Sequence, residues 1–97
     1  MARRYFRVTE VIQICGVDEK FVDDLERERI VQPVRRRNLK FYAPEQVDRI
    51  RVARLLIEDM GVNMEGAEVA LHMREQMIAM QRQFNELLQL LRQELKK

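Results

Sequence analysis

The sequence predicts a mostly α-helical protein: a winged helix-turn-helix over residues 1–62, its wing a small β-hairpin, and a long C-terminal coiled-coil helix over residues 63–97. Three observations predict it. Two short amphipathic segments meet at Gly16, and so short a glycine-containing connection is what a helix-turn-helix needs. Apolar residues flank Arg35-Arg36-Arg37-Asn38 on both sides, as in a hairpin with a polar tip. From Ala70 onward, apolar residues recur in alternating steps of three and four, the spacing of a coiled-coil seam.

Taken in order, Tyr5-Phe6-Arg7-Val8 suits a short strand beside the core. Thr9 is a good N-cap for a first helix that holds Val11, Ile12 and Ile14 and stops at Gly16. Asp18 then caps a second helix whose Phe21, Val22 and Leu25 share one face. Ile30, Val31 and Pro33 end that helix and turn the chain extended. Val31 and Val34 form one arm of the hairpin; Leu39, Phe41 and Tyr42 form the other. Pro44 and Glu45 open a third helix, both favoured in a first turn. Val47, Ile50, Ala53, Leu56, Ile57 and Met60 carry its apolar stripe up to Gly61.

Asn63 caps a last helix that can run to Lys97. Its seam is Ala70, Met73, Met77, Met80, Phe84, Leu87 and Leu91. A helix of ~50 Å, at 1.5 Å per residue, outreaches so small a domain, so a homodimer through this seam is expected over a helix folded back on its own domain. The seam is rich in Met, which packs adaptably.

At 97 residues the chain has room for one small domain and an appended helix. Its net charge of +2 is too weak to imply nucleic acid by itself. Cys15 is the single cysteine, so no disulfide framework and no cysteine metal cluster is expected, which fits a reducing cytoplasm. No apolar run reaches membrane-spanning length, and Met1-Ala2-Arg3-Arg4 is not followed by a signal-peptide core. Cys15 reads as a small buried residue, and a lone His72 cannot make a metal site. The carboxylate run Asp23-Asp24-Glu26-Glu28 implies neither pocket nor nucleophile around it. Neither an enzyme nor a cofactor is expected.

Charge is distributed in blocks. The exposed side of the second helix carries Glu19, Asp23, Asp24, Glu26 and Glu28 against Lys20, Arg27 and Arg29. A helix that reads the major groove should be neutral or basic, because DNA presents one negative charge per ~1.7 Å of axis. Arg35, Arg36, Arg37 and Lys40 make the wing strongly basic, as phosphate-contacting residues would, with Arg3, Arg4 and Arg7 adding to that face. The blander reading of those arginines is solubility and edge protection of an exposed hairpin.

The order strand, helix-turn-helix, wing, helix, long helix resembles the MerR family of bacterial regulators. The similarity rests on VTEVIQICGVDEKFVDDLERERIVQP, on LKFYAPEQVDRI and on DMGVNMEGAEVAL, and spans essentially the whole chain. Two branches are most similar: the HspR-type heat-shock repressors, and the CbpM-type chaperone modulators. The second helix separates them. Where DNA-binding members hold a phosphate-binding arginine, this chain has Asp23. Its acidic pattern leading to Ile-Val-Gln-Pro is similar to the CbpM type, as is Gly66-Ala67-Glu68-Val69-Ala70-Leu71 before a long leucine-bearing helix. The resemblance then implies a protein that binds the J-domain of a DnaJ-like co-chaperone and blocks its dialogue with an Hsp70, through Glu19, Asp23, Asp24 and Arg27. It also implies, as the alternative, a dimeric HspR-type regulator that contacts DNA through the wing. Under the first reading only weak, sequence-indifferent duplex binding is expected. A plain coiled-coil assembly protein would leave both charged surfaces idle.

Overall fold

Side-chain caps start two of the four α-helices among the described residues. The computed structural model describes residues 3–96; the predicted ends at Met1, Ala2 and Lys97 lie outside the described residues. Asp18 accepts a hydrogen bond from the Phe21 N–H (2.8 Å), opening α2, Glu19–Arg27. Asn63 accepts from the Gly66 N–H (2.7 Å), opening α4, Met64–Leu95. Each satisfies a donor that the first turn of a helix leaves orphaned. Helix α1, Val8–Cys15, starts earlier than expected: the Arg7 N–H donates to the Glu10 carboxylate (3.0 Å), so Thr9 lies inside the first turn and is not the cap. Gly16 ends α1 in the left-handed conformation (φ 67°), its N–H donating to the Ile12 carbonyl (3.0 Å).

The strands are shorter than the sequence pattern suggests. They are β1, Phe6–Arg7; β2, Val34–Arg36; and β3, Leu39–Tyr42, paired antiparallel in the order β1-β3-β2. Arg37 and Asn38 both take left-handed conformations (φ 51° and 64°), the pair of angles that a two-residue hairpin turn of matching twist requires. The tip is therefore Arg37-Asn38, while Arg35 and Arg36 stand within β2. Val31 does not join the arm. It is buried in the core with Ile30, just after Arg29 turns the chain in a left-handed conformation (φ 60°).

Helix α3, Pro44–Arg54, buries Val47, Ile50 and Ala53 as its apolar stripe predicts. Leu55–Asp59 then widens into a π-turn, with the Met60 N–H donating to the Leu55 carbonyl (3.1 Å). Such a turn uses more residues per revolution, so the stripe drifts off the core. Leu56 and Ile57 are half-buried, and Met60 is 64% exposed, not part of the packed stripe. Ile14 of α1 is likewise exposed, because Val11 and Cys15 define the buried face of that short helix.

The core gathers Val11, Val22, Leu25, Ile50, Tyr42 and their neighbours, and Leu71 of α4 belongs to it. Packing thus runs past the 62/63 division expected from sequence and into the first turns of α4. Asp48 of α3 accepts from Arg51 (2.6 Å) and from Arg74 of α4 (2.8 Å), and Arg49 pairs with Glu75, clamping the two helices together. Burial alone would raise the Asp48 carboxyl, but these hydrogen bonds hold it below the usual carboxylate range. Beyond Glu75 every described side chain of α4 is exposed, so the helix is not folded back on its domain. No helix of the described residues is long and apolar enough to cross a membrane.

Candidate functional site

The acidic helix α2 and the basic hairpin lie side by side, joined by a small polar network. Val22 and Leu25 anchor α2 in the core and thereby fix which of its residues face outward. Asp23 and Glu26 turn toward the hairpin, where Lys40 of β3 reaches both: its Nζ lies 3.0 Å from Glu26 and 3.8 Å from Asp23. The Tyr42 hydroxyl donates to the other Glu26 oxygen (2.5 Å). Burial, and after it the Glu26 carboxylate, push the Tyr42 phenol well above its ordinary range. With its side chain only 12% exposed, Glu26 joins α2 to the sheet and is not free to meet a partner.

The residues expected to bind a protein partner are brought together on α2, with different freedom. Glu19 is exposed. Asp23 keeps 46% of its side chain exposed and has only the longer contact to Lys40. Asp24 is more enclosed and is shared between Lys20 (3.5 Å) and Arg27 (3.3 Å) on its own helix. Charge on α2 is therefore partly neutralised from within, and Asp23 and Glu19 are its most available carboxylates. Among the phosphate-contact candidates, Lys40 is turned inward to α2, whereas Arg35, Arg36 and Arg37 are exposed and make no salt bridge among the described residues.

Between α2 and the hairpin lies an open cleft of about 640 Å³ whose walls include Asp23, Glu26, Arg27, Pro33, Arg35 and Lys40. Both signs of charge line it, so it suits a protein surface carrying complementary pairs more than a polyanion. Sequence reading missed the Tyr42–Glu26–Lys40 network. A signal was present in the alternation of β3, which sends Lys40 and Tyr42 to one face, but only the packing of α2 against that face pairs them.

Cys15 is buried, its thiol donating to the Val47 carbonyl (3.6 Å), and burial pushes it above the ordinary thiol range. His72 is exposed on α4. The seam residues Met73, Met77, Met80, Phe84, Leu87 and Leu91 are all exposed along one helix.

Comparison with known families places these elements. The sequence model of MerR HTH family regulatory proteins matches residues 6–89, which takes in α1, α2, the hairpin, α3 and most of α4. No curated protein matches the chain.

Proposed function

Because the chain belongs to the MerR helix-turn-helix family of regulatory proteins, we propose that it regulates through a protein partner, as a chaperone modulator of the CbpM type. It docks α2 on the J-domain of a DnaJ-like co-chaperone and inhibits that domain's action with its Hsp70. The observation that carries this reading is the charge of α2: Glu19 is exposed and Asp23 half-exposed on the helix that DNA-binding members of the family, by resemblance, lay against DNA. Carboxylates pressed against phosphates oppose binding, whereas the basic helix that the resemblance implies for a J-domain attracts them and speeds association. Lys40 strengthens the reading, since it is spent inside the molecule on Asp23 and Glu26.

A second reading is favoured by one specific observation. Arg35, Arg36 and Arg37 project from the hairpin without a salt bridge among the described residues, as phosphate-contacting side chains would. In that reading the protein is a dimeric DNA-binding regulator of the HspR type. In both, a homodimer forms through the seam of α4.

Converting Asp23 and Asp24 to Arg together separates the two. The double change removes exposed ion pairs to Lys40, Lys20 and Arg27, and should cost the fold no more than about 1–2 kcal/mol. Affinity for a purified J-domain should fall at least about tenfold and non-specific duplex affinity should rise. Fluorescence anisotropy at two salt concentrations reads both, with circular dichroism confirming the fold. A wild-type protein that ignores the J-domain and grips an operator duplex at physiological salt overturns the chaperone reading.

A further inference from the structure

The three-stranded sheet has two chemically different faces. On the inner face Tyr42 and Lys40 of β3 meet the core and α2. Phe41 and Leu39 point the other way, and the antiparallel register sets Val34 and Arg7 beside Phe41, and Arg36 beside Leu39. Tyr5, Val34 and Leu39 are exposed and Phe41 is half-buried, so this outer face leaves an apolar centre in solvent. A solvent-facing sheet surface is ordinarily polar. Arg3, Tyr5, Val34, Arg36 and Phe41 line a groove of about 460 Å³ across it, a size that accepts a few side chains.

The charged residues that line this groove, Arg3 and Arg36, are both basic. Arg3 stands over the Tyr5 ring (5.8 Å) and Arg7 over the Phe41 ring (5.7 Å). Arg3 is paired with Glu45 and the charge of Arg7 helps to lower the Glu10 carboxyl, while Arg36 makes no salt bridge among the described residues. Among the described residues no carboxylate lines the groove.

We infer that the outer face of the sheet is a docking site for a short acidic, amphipathic segment of a partner protein. An apolar side chain of that segment seats between Tyr5, Val34 and Phe41, and flanking carboxylates meet the guanidinium groups of Arg7 and Arg36. Guanidinium matches carboxylate in planar, two-bond geometry. Nucleic acid fits less well. A phosphate backbone gains nothing from the bare Val34 and Leu39. The site lies on the side of the sheet opposite α2 and does not depend on the partner proposed for that helix.

The test uses the full chain and a short fluorescent peptide of glutamates and aspartates around one leucine and one phenylalanine. A control peptide of equal charge has serine at both apolar positions, and single-stranded and duplex oligonucleotides are run alongside. Saturable anisotropy binding is expected for the apolar-anchored peptide and should be at least about tenfold weaker for the serine peptide. Arg36→Glu should weaken it at least about tenfold, and Arg36→Gln by less, with circular dichroism unchanged. Amide shifts on binding should cluster at Val34, Arg36 and Phe41. Equal affinity of the two peptides, no saturable binding at millimolar peptide, or indifference to both Arg36 changes overturns the inference. So does displacement of the peptide from these amides by an oligonucleotide, which would make the face a nucleic-acid surface.

Discussion

The root and the tail of α4 carry the same alternation of apolar residues yet have opposite fates. At the root, Ala67 and Leu71 are fully buried, and Arg74 and Glu75 are tied to Asp48 and Arg49 of α3. Farther along, Met77 is 68% exposed, with Met80, Phe84, Leu87 and Leu91 exposed as well. One element thus serves two surfaces. The root completes the domain's own core, and the tail holds an apolar stripe that no other described residue covers. An isolated stretch of that length, with its apolar side bared, gains little from helix propensity alone, so a second copy supplies the packing in the proposed homodimer.

The largest effect should come from breaking the root. Leu71→Ala removes a fully buried side chain from the core, and a loss of about 2–5 kcal/mol is expected in denaturant unfolding. The same truncation at Met77 should leave the unfolding of the domain nearly unchanged at concentrations where the chain is monomeric. Comparable losses at both sites would mean that root and tail form one cooperative unit.

A second change addresses only the tail. Phe84→Glu combined with Leu87→Glu places charge in the seam, where burial without a partner is strongly disfavoured. Sedimentation should show a monomer, and helical content should fall while the domain stays folded. A dimer that survives both substitutions, or a wild type that is monomeric at tens of micromolar, removes the seam from the account.

The smallest effect sharpens the root. Asp48 is held below the usual carboxylate range by Arg51 and Arg74, in spite of its burial. A folded-state pKa below the unfolded one contributes stability that is present above the unfolded value and lost as pH falls through the folded value. Acid should therefore loosen the α3–α4 junction as pH drops from about 4 downward, the range set by the ordinary aspartate pKa. Asp48→Asn should cost about 0.5–1 kcal/mol at neutral pH and flatten that part of the acid profile. Amide hydrogen exchange of α4 near Arg74 reads it directly; an unchanged acid profile in the variant would take Asp48 out of the coupling.

Much of the fold was legible residue by residue. The caps at Asp18 and Asn63, the stop at Gly16 and the stripe Val47, Ile50, Ala53 each follow from local chemistry, and each is where the pattern places it. The misses have one character. Thr9 had the right side chain for a cap but Arg7 held the position, because pairing of β1 with β3 sets where α1 begins. Met60 had the right spacing for the core, but the π-turn carries it outward. The acidic run on α2 was visible as composition. Which of its members remain available to a partner was not.

Periodicity, capping and composition act over a few neighbouring residues, so the elements, their apolar faces and the sign of charge on each surface follow from local chemistry. How those charges are used is a matter of long-range packing. It set Lys40 and Tyr42 on Glu26, left Glu19 exposed and Asp23 half-exposed, and left Arg35, Arg36 and Arg37 exposed. It also chose which apolar residues of α4 meet a core. Such choices rest on contacts between residues far apart in the chain, made when α2 packs against β3 and α3 against α4. The strength of a charge pair or an apolar contact depends on distance and burial, which spacing along a sequence does not specify.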